Sequence, residues 1–246
     1  MFKPQLILIL SFAIINILLV SPSSALNLSR NLPTSIRDME YFYQHQKVEA
    51  LPGILRTLER ERKFAKGELR LTTAAFLSEI FKQDPKTGAD ILARGEKVSL
   101  DAQKMLLWAV HLSNNDKLDD LSQKLASSHD SRLKSHIGGS SPNLLDWPIL
   151  KSPAVLNMYW GAFFAYANQK YLDAIIDAAI LHASLKRKGL IQDPQYNSSM
   201  AVCASLYEMA PRHEVVRKRL AKRLENVDAG ITDTLKVILD QKTSNR

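Results

Sequence analysis

Along most of this chain apolar residues recur three and four positions apart, and nowhere does a β-branched stretch alternate with a period of two. The first spacing puts side chains on one face of a helix and the second on one face of a strand, so the fold class read from it is all-α. Leu69, Thr73, Phe76, Leu77 and Ile80 mark one face of a helix over about 66–83, which Asp84-Pro85 stops. Pro52 opens another, with Ile54, Leu55 and Leu58 on one side and Arg56, Glu59, Arg60 and Arg62 on the other. Ser99 caps a helix carrying Leu100, Met105, Leu106, Trp108, Ala109 and Leu112. Further helices are predicted over about 153–168, 169–188, 196–209, 212–226 and 228–241. Nine glycines and ten prolines in 246 residues are too few for a turn-rich β sandwich. A lone cysteine, Cys203, excludes a disulfide framework and a cysteine-built zinc site. Between Val202 and Ala204 in a helical stretch, it reads as a small buried hydrophobe.

Residues 1–25 have the order of a secretory signal peptide. Lys3 precedes an apolar run from Leu6 to Val20, and Ser21-Pro22-Ser23-Ser24-Ala25 supplies a helix breaker and small residues, with cleavage expected after Ala25. The run is short of the ~20 residues that span a bilayer, and no later stretch is long or apolar enough. The expectation is an exported protein, periplasmic or secreted, with no transmembrane segment in the mature chain. Residues 26–246 then form a single all-α domain, interrupted at about 127–153 by a long flexible, polar connector that contains Gly138-Gly139-Ser140-Ser141-Pro142. Trp147-Pro148-Ile149-Leu150 is an apolar island within it, whose tryptophan is expected to tuck back onto the fold.

Two stretches read as helix, polar turn, helix: Met105 to Leu121 around Asn114-Asn115-Asp116, and Met158 to Asp177 around Asn168-Gln169. Short connections make neighbouring helices antiparallel, and such pairs stack. The stretch around Trp160, Ala162, Tyr171 and Ala174 resembles a tetratricopeptide repeat over one hairpin of the chain. Small residues at Ala162 and Ala174 would let the helices approach, although Ala178 stands where that family has a large aromatic, and no 34-residue period runs along the chain. The resemblance implies stacked antiparallel hairpins in an irregular α-solenoid, and a protein-binding module with a concave inner surface.

Tyr159, Trp160, Phe163, Phe164, Tyr166 and Tyr171 concentrate a third of the chain's aromatic side chains. A helix apolar over most of its circumference belongs in a core. Tyr159 and Tyr166 are the candidates for an exposed stripe, because a tyrosine hydroxyl seeks a partner. The net charge is +8, and cations gather at Arg212, Arg217, Lys218, Arg219, Lys222 and Arg223. Val216, Leu220 and Leu224 are expected to dock that helix and leave the charges on its solvent side. The binding residues expected are therefore Trp147, Tyr159 and Tyr166 for contact, with Arg217, Lys218, Lys222 and Arg223 steering an acidic partner.

No motif points to catalysis. His129-Asp130 and His136 lack the fixed spacing of a metal site. Ser140 and Ser141 lack the strand-to-helix context of a hydrolase nucleophile, and Lys86-Thr87 follows no glycine-rich loop. No cofactor or metal is expected, and no nucleic-acid partner, because the export signal removes the usual encounter and no recognition motif is visible. The reading is an exported protein-binding or scaffold module, not an enzyme, whose partner is a protein or peptide, acidic where it meets the basic helix. Peripheral contact with an anionic envelope surface is a further possibility. The alternative is an envelope hydrolase acting on glycan or lipid.

Overall fold

The computed structural model describes residues 34–128 and 143–241; the expectations for residues 1–25, for His129, Asp130 and His136, and for Ser140 and Ser141 lie outside the described residues. The helices are α1 (Thr34–Glu40), α2 (Phe42–His45), α3 (Leu51–Arg60), α4 (Gly67–Gln83), α5 (Pro85–Leu92), α6 (Leu100–Ser113) and α7 (Asp119–Ser128). They continue with α8 (Pro153–Tyr166), α9 (Gln169–Arg187), α10 (Pro194–Met209), α11 (Glu214–Leu224) and α12 (Ala229–Leu239). Among the described residues there is no strand, so the all-α class is observed.

Helix starts follow local chemistry. The side chains of Asp84, Ser99, Ser152, Asn168, Asp193 and Asp228 each accept a hydrogen bond from a backbone N–H in the first turn they cap. At the end of α8 the chain reverses through Ala167, which adopts the left-handed conformation (φ 53°), and its N–H returns to the carbonyl of Phe163. Asn168 caps α9 immediately afterwards, so α8 and α9 are forced side by side.

Helix α4 is the centre of the packing, with α6 against one part of its surface and α8 against another. Residues 73–81 of α4 are consequently all buried, polar Thr73, Ser78 and Glu79 included. The closest approach is at Gly161 of α8, where a Cβ would lie 2.1 Å from the carbonyl oxygen of Thr72. Helix α9 adds to α8, and α10, α11 and α12 pack on α9. The central member of the α4, α6, α8 trio is thus the earliest in the chain. Helix α8 reaches it after the 143–152 segment, whose Leu144 is buried and whose Trp147 packs on the core.

Two polar ties cross this core. The Tyr171 hydroxyl donates to Glu79 Oε1 (2.7 Å), which also receives Lys82 Nζ (2.6 Å). Near the other end, buried Glu40 of α1 pairs with Arg212, the Tyr41 hydroxyl donates to the Arg212 carbonyl (3.0 Å), and the Tyr43 hydroxyl meets His213 Nδ1 (3.1 Å). The fully buried His213 ring also stacks on Tyr41 and Phe164. These contacts fasten α1 and α2 to the link between α10 and α11.

Candidate functional site

Tyr159 does not line a groove. Its side chain is 2% exposed, edge-on to Tyr171, and its hydroxyl lies 3.2 and 3.1 Å from the carbonyls of Leu145 and Trp147. Burial, then the charge of Asp146, pushes its hydroxyl pKa up. The hydroxyl that was expected to seek an external partner finds one in the returning 143–152 segment, which corrects its assignment as a contact residue. Tyr166 and Trp147 are half-buried, and both pack against the core. Burial, then Asp84 and Glu79, also raises the Tyr166 pKa.

Helix α11 docks through Val216, Leu220 and Leu224, all buried. Its cations are not uniformly free. Arg219 forms a two-pronged pair with Asp173 of α9 (2.7 and 2.6 Å), and Arg223 pairs with Asp177 one turn further along. Hydrogen bonding from Arg219 holds the Asp173 carboxyl below the usual carboxylate range. Arg217 donates from Nε and Nη2 to Glu214 (3.0 and 3.1 Å), lowering the pKa of Glu214 and raising its own, and Lys218 stands 3.8 Å from the same carboxylate. Lys222 is exposed and forms no ion pair among the described residues. Of the four residues expected to steer a partner, Arg223 instead joins α11 to α9, and Arg217 is answered on its own helix. The aspartates and arginines recur with the same four-residue spacing, a match visible in the sequence once α9 and α11 are known to be neighbours.

A different surface is left unsatisfied. Leu190 and Ile191, in the link that Gly189 turns with φ 71°, are 47% and 56% exposed. Met200 and Tyr207 lie seven residues apart on the outward face of α10, with exposed Ala201 and Ala204 between them. Opposite them Ser199, Val202 and Leu206 are buried against the fold. The sequence reading passed over this stripe because Met200, Ala204 and Tyr207 have the same helical spacing as a core face. Cys203 beside it is half-buried, with Sγ 3.8 Å from the Ala179 carbonyl, and burial pushes its thiol up to about 12, so it is a poor nucleophile.

Among the described residues no group of three or more His, Cys, Asp or Glu side chains is placed to hold a metal ion. No helix among them is long and apolar enough to cross a membrane. No protein-family model, curated protein or solved structure matches this chain.

Proposed function

We propose that this chain is an exported protein-binding or scaffold module without a catalytic role, working in the periplasm or outside the cell once residues 1–25 are removed. One observation carries the reading: among the described residues, every large apolar side chain left exposed falls between 190 and 237. Four of these five side chains belong to α10 or to the link that leads into it, which is where an interaction surface is sought. The docking strip is Leu190, Ile191, Met200 and Tyr207, with Trp147 and Tyr166 secondary. The scaffold is read as an irregular stack of helical hairpins, in which α8 and α9 are the tetratricopeptide-like unit. Helix α11 follows α10 after a four-residue link, and its Lys218 and Lys222 are the cations left to steer an acidic protein or peptide.

The test is capture from the host's envelope fraction by the mature chain, at low and high salt. Met200→Glu with Tyr207→Glu alters only exposed positions and should abolish saturable capture of a protein partner. Lys218→Glu with Lys222→Glu should slow association at low salt and flatten its salt dependence. Capture that survives both pairs of substitutions would overturn the reading. Retention on anionic vesicles that needs the lysines but not the apolar strip would replace it with peripheral surface binding.

A further inference from the structure

A cleft of about 470 Å³ lies among α3, α5 and α6, away from the residues of the proposed docking strip. That volume is within the roughly 300–1,000 Å³ of small-molecule sites. Its floor is Phe64, Ile91, Met105 and Leu106, all buried. Helix α3 explains why a cleft remains: its inward face, Leu51, Ile54 and Leu58, is buried, while Leu55 is left half-buried at the cleft wall. The rim carries Arg56, Arg94 and Lys97, exposed cations that form no ion pair among the described residues. The carboxylate beside them, Glu59, already accepts the Ser99 N–H at 2.5 Å.

A second, polar hollow of about 520 Å³ shares Pro52, Arg56, Ile91 and Arg94 with the first. Two guanidinium groups therefore stand where an apolar chamber opens onto a polar one. Together the two hollows are lined by Arg56, Lys86, Arg94 and Lys97 against Glu49, Glu59, Asp84 and Asp90, a net charge of zero, while the inner lining alone sets Arg56, Arg94 and Lys97 against Glu59. That balance suits a ligand with one anionic group and not a polyanion. A polypeptide would bring backbone N–H and C=O groups onto a floor that offers them few partners, whereas a hydrocarbon chain needs none. Arginine is the side chain best shaped to receive a carboxylate.

We propose that this cleft binds a single-chain carboxylate amphiphile, with its acyl chain on the Phe64, Ile91, Met105 and Leu106 floor and its carboxylate between Arg56 and Arg94. Calorimetric titration of the full chain with octanoate, decanoate and dodecanoate, below their micellar concentrations, tests it. Expected are one site per chain and affinity rising about fourfold for each methylene until the chamber is filled. Methyl decanoate should bind at least tenfold more weakly than decanoate. Arg56→Gln with Arg94→Gln, both at exposed positions, should erase that preference and leave ester binding intact. Val98→Phe, placed at the half-buried wall, should weaken both ligands. No saturable uptake, equal affinity for decanoate and decyltrimethylammonium, or decanoate binding indifferent to the arginine substitutions would each overturn the proposal.

Discussion

At Glu79 a carboxylate sits 6% exposed within the buried run of α4, and it is tolerable there because two donors reach it. Lys82 comes from the same helix, but the Tyr171 hydroxyl comes from another, 92 residues along the chain. Burial, then the Glu79 charge, raises the Tyr171 pKa, so the hydroxyl keeps its proton for this bond. Tyr171→Phe removes one donor and leaves the carboxylate under-satisfied. The expected loss is about 2 kcal/mol, read as a lower urea midpoint at unchanged slope. The density of aromatics between 159 and 171 was enough to place this stretch in a core, because no amphipathic helix can expose so many rings. It could not say where the hydroxyls go, because their partners are a distant carboxylate and two loop carbonyls with no sequence signature.

Between elements, the position that sets spacing is Gly161. A methyl group there would overlap the Thr72 backbone, which cannot rotate away as a side chain could. Gly161→Ala should therefore force α4 and α8 apart and cost roughly 3 kcal/mol or more; thermal unfolding monitored by circular dichroism checks it. The sequence showed small residues at Ala162 and Ala174 but gave no reason to single out the glycine, since close approach depends on which backbone crosses it. Helix positions were legible from spacing and caps, whereas the order in which α6, α4 and α8 lie was not, because periodicity marks an apolar face without naming its neighbour. Helix α9 carries a pH dependence of its own. His182 is buried, its Nδ1 near the Tyr196 carbonyl and Ser199 Oγ, and burial chiefly lowers its pKa. The unfolded chain thus takes a proton near pH 6.5 that the folded one takes only at lower pH. The stability tied to neutral His182 is complete above that value and declines as pH falls through the folded pKa. Asp173 is depressed by Arg219 in the same sense, so its contribution is lost only below about pH 4. His182→Gln should flatten the stability profile between pH 7 and 5 without abolishing the slope, because burial also lowers the pKa of His111. An unaltered slope would show that His182 does not carry it.

For the described molecule as a whole, the most consequential contacts join residues far apart in the chain: Glu40, Tyr41 and Tyr43 against Arg212 and His213. They connect α1 and α2, which pack on α8, to the link preceding the basic helix, so the first and last thirds of the described chain share one boundary. Its centre is an ion pair whose side chains are 7% and 9% exposed, with exposed Glu208 as a second partner of Arg212 at 3.2 Å. Removing one charge from a buried pair costs more than the pair itself contributes, because the survivor stays desolvated. Glu40→Met should therefore destabilise by about 3 kcal/mol, the low end for a buried pair, since Glu208 still answers part of the arginine's charge. Replacing both charges, in Glu40→Met with Arg212→Met, should recover much of that loss, since two apolar side chains need no partner across the boundary. Urea denaturation of the single and double variants, in backgrounds that keep only Trp108 or only Trp160 of the three tryptophans, measures the coupling. If the boundary joins the two regions into one cooperative unit, both probes shift together in every variant. A shift confined to one tryptophan would mean that the clasp stabilises only the helices it touches.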